Sequence, residues 1–211
     1  MESAILMAAG LGTRMRPLTD NTPKPLIKAA GKPLIETVID GLWQHGVREI
    51  YVVTGYLAEQ FDYLAEKYPG LTLVNNEEYT VKNNISSIHA VCQYMGKTDC
   101  FICEADLYVS DPAIFDIPHD KSCYYGKYVA GHSDDWVFDM DGERIVRVGK
   151  GGDDTYNMVG ISYFKADDAA YIADAILKAY KEPGHETLFW DEIVDRCLPE
   201  INLGICPVDA S

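Results

Sequence analysis

Short apolar segments alternate with amphipathic segments through the first half of the chain. A continuous apolar run at residues 4–9 is typical of a buried strand. Apolar side chains within residues 33–45 recur three and four positions apart, which is the spacing of one helix face. The pattern predicts, in order, strand 4–9, helix 33–45, strand 49–53, helix 58–68, strand 71–74, helix 85–95 and strand 100–105. This alternation predicts an α/β fold in which helices cover both faces of a parallel sheet.

The second half of the chain has a different pattern, with short alternating segments separated by turn residues. Asp141-Gly142 is typical of a hairpin turn between two antiparallel strands. The predicted elements are strands 122–129, 136–140, 144–148 and 158–165, helices 167–181 and 188–197, and a last strand at 203–208. We expect this half to lie over the first half and to supply a second binding pocket.

Composition narrows the classes of partner. The chain has 211 residues, of which 33 are Asp or Glu and 18 are Lys or Arg, so its formal net charge is −15. Such an acidic chain argues against nucleic acids and anionic membranes as partners. The absence of a long apolar run and of a recognisable signal peptide predicts a cytoplasmic protein whose six cysteines are reduced. Cys100 and Cys103 lie three positions apart on a predicted strand, so they should face opposite ways and share no metal.

The most informative motif follows the first predicted strand, where residues 7–18 read MAAGLGTRMRPL and residues 22–26 read TPKPL. Glycines let the backbone turn tightly and approach a ligand closely. Consecutive backbone N–H groups, with Arg14 and Lys24 nearby, then form a pocket suited to a triphosphate. A P-loop is excluded because no Gly-Lys-Ser/Thr ending is present. A dinucleotide fingerprint is excluded because Met15 stands where that motif requires its third glycine.

Two carboxylates are candidate metal ligands. Asp106 directly follows a predicted buried strand, at the edge of the sheet where ligands of such folds bind. Asp191 lies next to two aromatic residues near a predicted helix start, where pairing with the helix dipole is the alternative explanation. Because Mg²⁺ in proteins is held by one or two carboxylates together with phosphates and water, these residues predict a Mg²⁺ site. If the bound triphosphate transfers its nucleotidyl group to an acceptor, Arg14 should contact the leaving pyrophosphate, and Lys24 should contact the α-phosphate or the phosphate of the acceptor.

The glycine-containing loop resembles the signature of nucleotidyltransferases that make activated sugars and activated alcohols from nucleoside triphosphates. Over nearly its whole length the chain also resembles the bacterial CTP:phosphocholine cytidylyltransferases. The segments that carry this resemblance read VTGYL at 53–57, QFDYL at 60–64, NNISS at 83–87, EAD at 104–106, DW at 135–136, GISY at 160–163 and WD at 190–191.

The resemblance implies a Rossmann-like nucleotidyltransferase fold. Its mixed, mostly parallel sheet would be flanked by helices and carry a small antiparallel acceptor-binding subregion. Residues 1–211 would form one domain, with a nucleotide-binding half at about 1–110 and an acceptor-binding half at about 111–211. Relatives continue beyond the last strand, whereas this chain stops at residues 208–211 (VDAS), so we expect the N-terminal part of a longer protein, for example one fused to a choline kinase.

The resemblance also assigns residues to roles. Mg²⁺ would bind Asp106 and Asp191, while Arg14 and Lys24 would be catalytic. The implied nucleotide contacts are Ala8, Ala9, Gly10, Gly12, Thr13, Gly55, Asn84 and Ser87. The implied aromatic pocket for a quaternary ammonium consists of Trp136, Phe189 and Trp190, for which core packing is the alternative. Aromatic faces suit that group because a trimethylammonium ion has no N–H with which to form ordinary hydrogen bonds.

These expectations predict a Mg²⁺-dependent cytidylyltransferase that makes CDP-choline and pyrophosphate from CTP and phosphocholine, for decoration of cell-surface glycans. Three alternatives stay open. One is 2-aminoethylphosphonate as the acceptor, whose primary ammonium would depend more on carboxylates than on an aromatic pocket. The second is a sugar-1-phosphate nucleotidyltransferase, and the third is a non-catalytic domain that senses nucleotide.

Overall fold

A seven-stranded, mostly parallel sheet forms the centre of the protein in the computed structural model, which describes residues 2–208. In chain order the strands are β1 (Glu2–Met7), β2 (Lys28–Ala29), β3 (Lys32–Pro33), β4 (Glu49–Thr54), β5 (Leu71–Asn75), β6 (Asp99–Glu104), β7 (Ser122–Asp141), β8 (Arg144–Phe164) and β9 (Leu203–Pro207). The main sheet has the order β5-β4-β1-β6-β8-β7-β9, while β2 and β3 pair separately. Within the main sheet, as described over residues 2–208, only β8 runs antiparallel to its neighbours, so the predicted Rossmann-like α/β fold is confirmed.

In the part of the chain that the structure describes, five α-helices cover the two faces of the sheet. They are α1 (Leu34–His45), α2 (Asp62–Lys67), α3 (Ile85–Val91), α4 (Ala166–Ala179) and α5 (Trp190–Cys197). Buried side chains of α1 and α2 form a core cluster with one face of the sheet, and those of α3, α4 and α5 form a second cluster with the other. Because strand side chains alternate between faces, Cys100 belongs to one cluster and Cys103 to the other.

The predicted helix boundaries differ from the observed ones at short segments. The predicted helix 58–68 consists of a 3₁₀ turn, Ala58–Phe61, followed by α2. The predicted helix 85–95 consists of α3 followed by a second 3₁₀ turn, Cys92–Tyr94. Apolar spacing over three or four residues does not distinguish these two kinds of turn. Pro33 ends β3 and precedes α1 instead of forming its first turn.

The expectation that the second half lies over the first is wrong. Strand β8 pairs directly with β6, so the second half extends the same sheet edge to edge. The four predicted antiparallel strands are segments of the long, irregular pair β7 and β8. Val137 pairs with Gly149 on one side and with Asn157 on the other, which places the predicted strand 136–140 between two arms of β8. Register shifts allow such long strands to bend.

The carboxyl ends of β1, β4 and β6 lie side by side, because these strands are adjacent and parallel. The loops that follow Met7, Thr54 and Glu104 therefore meet at one edge of the sheet, where ligands bind in open α/β folds. Within residues 2–208, no helix is long and apolar enough to cross a membrane.

Candidate active site

The loop after β1 is held in a tight turn at Gly12. This residue has φ 61°, a left-handed conformation that favours glycine. A Cβ at Gly12 would lie 3.0 Å from Thr19 Cγ2 and 3.2 Å from Lys24 Cβ. The Thr19 hydroxyl donates to the Gly12 carbonyl at 2.9 Å. The glycine therefore lets the turn close against the segment that carries Lys24.

The far side of this loop is anchored by the segment that follows β4. The Tyr56 hydroxyl donates to the carbonyls of Thr19 and Asp20, at 2.9 Å in each case. The Gln60 side chain donates to the Asn21 carbonyl at 3.0 Å. Side-chain-to-backbone hydrogen bonds from Tyr56 and Gln60 therefore connect the end of β4 with the loop that follows β1.

Gly55 has a packing role beside the loop. A Cβ at this position would lie 2.8 Å from the ring of Tyr79 and 3.0 Å from the Cβ of Ala9. The structure therefore places Gly55 behind Tyr79, whereas Tyr79 and Ala9 line a cavity. The missing side chain of Gly55 lets Tyr79 pack against the loop, while the nucleotide contact expected of Gly55 stays a prediction.

A cavity of about 410 Å³ opens above the loop. Its walls include four predicted nucleotide contacts, both predicted catalytic residues and one predicted metal ligand: Ala8, Gly10, Gly12, Thr13, Arg14, Lys24 and Asp106. Arg14 is exposed at this cavity, and the Lys24 ammonium forms an ion pair with the Asp106 carboxylate. Two cationic side chains and a turn of backbone therefore surround a space in an otherwise acidic protein, as binding of a polyphosphate requires.

A second cavity of about 190 Å³ adjoins the first, and the two share Met7, Gly10, Asn83 and Glu104 in their walls. The second cavity is lined by Ala9, Asn76, Tyr79, Lys82, Asn84, Ser86 and Ser87 together with the shared residues. It is less charged than the first, and it contains amide and hydroxyl groups that can form hydrogen bonds with a base. The arrangement suits a nucleotide whose phosphates occupy the larger cavity and whose base occupies the smaller one.

Glu104 is a site residue to which the sequence analysis gave no role. It lines both cavities and also the small space beside Asp191. Burial, reinforced by the negative charges of Asp106 and Asp191, raises the pKa of Glu104 to about 8. Gly160 packs against it, since a Cβ there would lie 3.1 Å from Glu104 Cγ. The available signal was its position at the carboxyl end of β6, the edge of the sheet where ligands bind in such folds.

Asp191 is buried in the first turn of α5, with 5% of its surface exposed. The Tyr124 hydroxyl donates to its carboxylate at 2.9 Å. Burial raises the pKa of Asp191 to about 7, although the bond from Tyr124 acts in the opposite direction. Tyr124 was also absent from the predicted site, because residues 124 and 191 are distant in the sequence.

Asn83 and Asn84 connect the nucleotide cavities to the segment before α5. The Asn83 backbone N–H donates to the Glu186 carbonyl at 2.8 Å, and its side chain donates to the Thr187 carbonyl at 3.1 Å. The Asn84 side chain accepts a bond from the Trp190 backbone N–H at 3.0 Å. Asn84 lines the smaller cavity, where its nucleotide contact stays a prediction, and it also fixes the start of the helix that carries Asp191.

Of three carboxylates in this region, those of Asp106 and Asp191 are oxygen donors of the kind that a divalent cation prefers, and Glu104 lies within electrostatic reach of both. Two of them have pKa values raised by burial, so a cation near them would offset an unfavourable concentration of negative charge. Among residues 2–208, no group of three or more His, Cys, Asp or Glu side chains is spaced as a metal site formed by protein alone. That is compatible with Mg²⁺, which keeps several waters and binds one or two carboxylates together with substrate phosphates.

The predicted aromatic pocket is only partly assembled. Trp136 and Phe189 are half-buried and meet edge to face, with ring centroids 5.3 Å apart. The Lys150 ammonium lies 4.9 Å from the Phe189 centroid and 5.7 Å from that of Trp136. The exposed ammonium of Lys150 therefore already forms cation–π contacts with this aromatic pair.

The predicted substrate contact at Trp190 is contradicted by the structure. Its side chain is 3% exposed and packs in the core against Tyr124 and Phe164, with ring centroids 6.1 and 6.0 Å away. The space that it lines beside Asp191 has a volume of about 10 Å³, which has no room for an acceptor molecule. The physical reason is its position on α5, whose apolar face is buried against the sheet.

Comparisons with known proteins agree with this geometry. Residues 4–122 match the model of the MobA-like NTP transferase domain family. The chain is 56% identical over 209 residues to the 2-aminoethylphosphonate cytidylyltransferase of Lancefieldella rimae, covering 99% of this chain and 85% of that protein. It is 36% identical over 204 residues to the choline-phosphate cytidylyltransferase of Streptococcus pneumoniae, covering 95% and 86%. A solved structure of the CTP:phosphocholine cytidylyltransferase of Streptococcus pneumoniae superposes with a TM-score of 0.89 at 33% identity, covering 99% of this chain and 90% of the other.

Proposed function

The chain belongs to the family of MobA-like NTP transferase domains and is a cytidylyltransferase, and from this premise we propose that its acceptor is 2-aminoethylphosphonate. The reaction would join CTP and 2-aminoethylphosphonate into a CMP-linked phosphonate and release pyrophosphate. The observation that carries the proposal is the similarity to the Lancefieldella rimae protein, which bears that name and matches 99% of this chain at 56% identity. The phosphocholine acceptor expected from the sequence motifs becomes the second candidate.

The aromatic residues give the proposal independent support. A pocket for trimethylammonium needs aromatic faces that the ligand can reach. Here Trp190 is buried in the core, and the pair formed by Trp136 and Phe189 contacts the ammonium of Lys150. A primary ammonium depends less on such faces, because its three N–H groups can donate to carboxylates and carbonyls.

The cationic side chains of Arg14 and Lys24 in the larger cavity can stabilise the negative charges that develop during nucleotidyl transfer. An anionic phosphonate oxygen attacks the α-phosphorus of CTP in line, its new P–O bond forms, and the bond to pyrophosphate breaks. No general base is required, because the attacking oxygen has already lost its proton at neutral pH. The Arg14 guanidinium stabilises the negative charge on the departing pyrophosphate, and the ammonium of Lys24 stabilises charge around the α-phosphate.

Asp106 and Asp191 would hold Mg²⁺, with Glu104 beside them. When bound, the ion neutralises phosphate charge and orients the triphosphate. The carboxylates contribute by remaining ionised in its presence, and Tyr124 keeps Asp191 oriented through the bond to its carboxylate. The ion pair between Lys24 and Asp106 holds the lysine ammonium at the same wall of the cavity.

The proposal is tested by measuring pyrophosphate release with Mg²⁺. CTP, UTP, ATP and dTTP are each combined with 2-aminoethylphosphonate, phosphocholine and glucose 1-phosphate. The expected result is release with CTP and 2-aminoethylphosphonate. Release only with phosphocholine would transfer the assignment to the second candidate, and release only with glucose 1-phosphate would support a sugar nucleotidyltransferase. If the protein bound CTP but released no pyrophosphate with any acceptor, a nucleotide-sensing domain would replace the enzyme.

A further inference from the structure

A buried network of polar side chains lies behind the smaller cavity. Asn76, Ser86 and Ser87 are 3%, 2% and 5% exposed. Asn76 directly follows β5, and its backbone N–H donates to the Thr54 carbonyl at 2.8 Å, which fixes it at the edge of the sheet. The nucleotidyl-transfer reaction described above gives none of these three side chains a chemical step.

The amide group of Asn76 has one orientation. The Glu78 backbone N–H donates to Asn76 Oδ1 at 3.0 Å, so this side of the amide must be the oxygen. Its Nδ2 group then donates to the hydroxyl oxygens of Ser86 at 2.9 Å and Ser87 at 3.2 Å. An amide NH₂ can donate but cannot accept, so both serine hydroxyls are acceptors toward Asn76.

The two serines differ in where their hydroxyl protons point. The Ser86 hydroxyl donates to the Asn83 carbonyl at 2.8 Å, which uses its proton inside the protein. Throughout the described range, 2–208, the structure gives the Ser87 proton no acceptor, while Ser87 lines the cavity of about 190 Å³. The amide of Asn76 thus leaves Ser87 with a proton to donate into the cavity.

Resting on the proposed use of CTP, we propose that Asn76 makes Ser87 a hydrogen-bond donor to N3 of the base and thereby selects cytosine over uracil. N3 of cytosine carries a lone pair and accepts a proton, whereas N3 of uracil carries a hydrogen and donates. Since no residue of the described range accepts the Ser87 proton, N3 of cytosine satisfies it, whereas the N3–H of uracil can only donate to the remaining lone pair of the hydroxyl and leaves that proton unpaired. Ser87 touches the base, and Asn76 is a positioning residue that acts through Ser87.

Two variants test the proposal through the ratio of kcat/KM for CTP to kcat/KM for UTP. Ser87→Ala removes the donor. Asn76→Asp keeps the size of the side chain and the oxygen that accepts from Glu78, but its carboxylate can only accept, so the Ser87 proton turns away from the cavity. Each variant is expected to lower the ratio about tenfold, as loss of one discriminating hydrogen bond implies.

Ser86→Ala is the matched control. Ser86 belongs to the same network and is also buried, but its hydroxyl donates to the Asn83 carbonyl and not into the cavity. It is expected to affect both nucleotides alike and to preserve the ratio. Dissociation constants of CTP and UTP, measured by calorimetry with each variant, give a second readout that does not depend on turnover. Melting curves show whether each variant is folded, and Ser87→Ala keeps the test available if Asn76→Asp does not fold.

The possible outcomes separate this inference from the proposed function. If the unaltered protein used UTP as readily as CTP, the proposed use of CTP itself would fail. If it preferred CTP while folded Ser87→Ala kept the original ratio, the hydroxyl would not read N3 and the inference would be overturned. A loss of preference in Ser86→Ala as large as that in Ser87→Ala would also overturn it, because the effect would then be structural.

Discussion

The amide oxygen of Asn84 accepts a hydrogen bond of 3.0 Å from the backbone N–H of Trp190. Asn84 also lines the smaller cavity, so one residue both faces that cavity and fixes the first residue of α5 through its amide oxygen. Asp191 is the next residue along that helix. The bond connects the wall of the nucleotide cavity with the backbone that positions a candidate metal ligand, although the two residues lie 106 positions apart.

Asn84→Ala should misplace Asp191 and lower turnover while also reducing stability. Loss of the bond to Trp190 and exposure of an unpaired N–H should lower the free energy of unfolding by about 1–3 kcal/mol. Urea denaturation and kcat under saturating CTP measure the two effects. Asn84→Asp is the control, because its side chain keeps an acceptor oxygen, and it should recover most of the stability. Equal losses in both variants would show that the bond to Trp190 is unimportant.

The cavity beside the loop after β1 could be predicted, because the residues that line it are close together in the sequence. Gly12, Arg14 and Lys24 lie within one loop, and the alternation of apolar segments placed Asp106 at the end of a strand. The structure brings these residues into the same cavity. The positions of side chains in such a motif can be inferred from the sequence, because a tight turn after a buried strand fixes where the next side chains lie.

The acceptor side could not be predicted in the same way, because it depends on contacts between distant segments. Trp190 and Phe189 are adjacent in sequence, but the start of α5 turns the first into the core and leaves the second against Trp136. Lys150 reaches this aromatic pair from another strand. No apolar pattern distinguishes an aromatic ring that packs in a core from one that binds a ligand.

Arg14→Ala should reduce turnover strongly without destabilising the protein. Removing one preorganised partner of transition-state charge typically costs about 10²–10³ in kcat. Arg16→Ala is the matched control, since Arg16 is also exposed, lies two residues away and pairs at the surface with Asp20 at 3.5 Å. Steady-state pyrophosphate release and melting temperatures compare the two variants. Similar rates for both would remove Arg14 from the catalytic assignment.

Trp190→Ala should destabilise the protein, whereas Trp136→Ala should change neither stability nor acceptor kinetics much. Removal of the buried Trp190 ring should cost about 3–5 kcal/mol of unfolding free energy, because it leaves a cavity in the core. Trp136→Ala should leave the protein stable and change kcat/KM for 2-aminoethylphosphonate little, since a primary ammonium does not require the ring. Chemical denaturation and acceptor kinetics provide the two measurements. A large loss of acceptor kcat/KM in folded Trp136→Ala would indicate an aromatic ammonium site.

Asp191 should make stability depend on pH. The pKa of an aspartate in an unfolded chain is about 3.9, whereas burial raises the pKa of Asp191 to about 7 in the folded protein. The folded state therefore holds this proton more tightly, so this carboxylate reduces stability progressively as pH rises from about 4 to 7. In metal-free buffer, Asp191→Asn should gain melting temperature relative to the unaltered protein over that interval.

Mg²⁺ provides the control for the pH experiment. If Asp191 binds the ion, adding Mg²⁺ should stabilise the unaltered protein near neutral pH and shrink its difference from Asp191→Asn. The difference in melting temperature between the two proteins, followed with and without Mg²⁺, is the quantity to compare. A difference that stays constant with pH would refute the raised pKa, and one insensitive to Mg²⁺ would argue against Asp191 as a ligand.

The identity of the acceptor is tested most directly by competition. Equal concentrations of 2-aminoethylphosphonate and phosphocholine are supplied with limiting CTP and Mg²⁺, and the products are identified by ³¹P nuclear magnetic resonance and mass spectrometry. We expect the CMP-linked aminoethylphosphonate to dominate, with a P–C phosphorus signal retained in the product. Formation of CDP-choline as the main product would contradict this expectation.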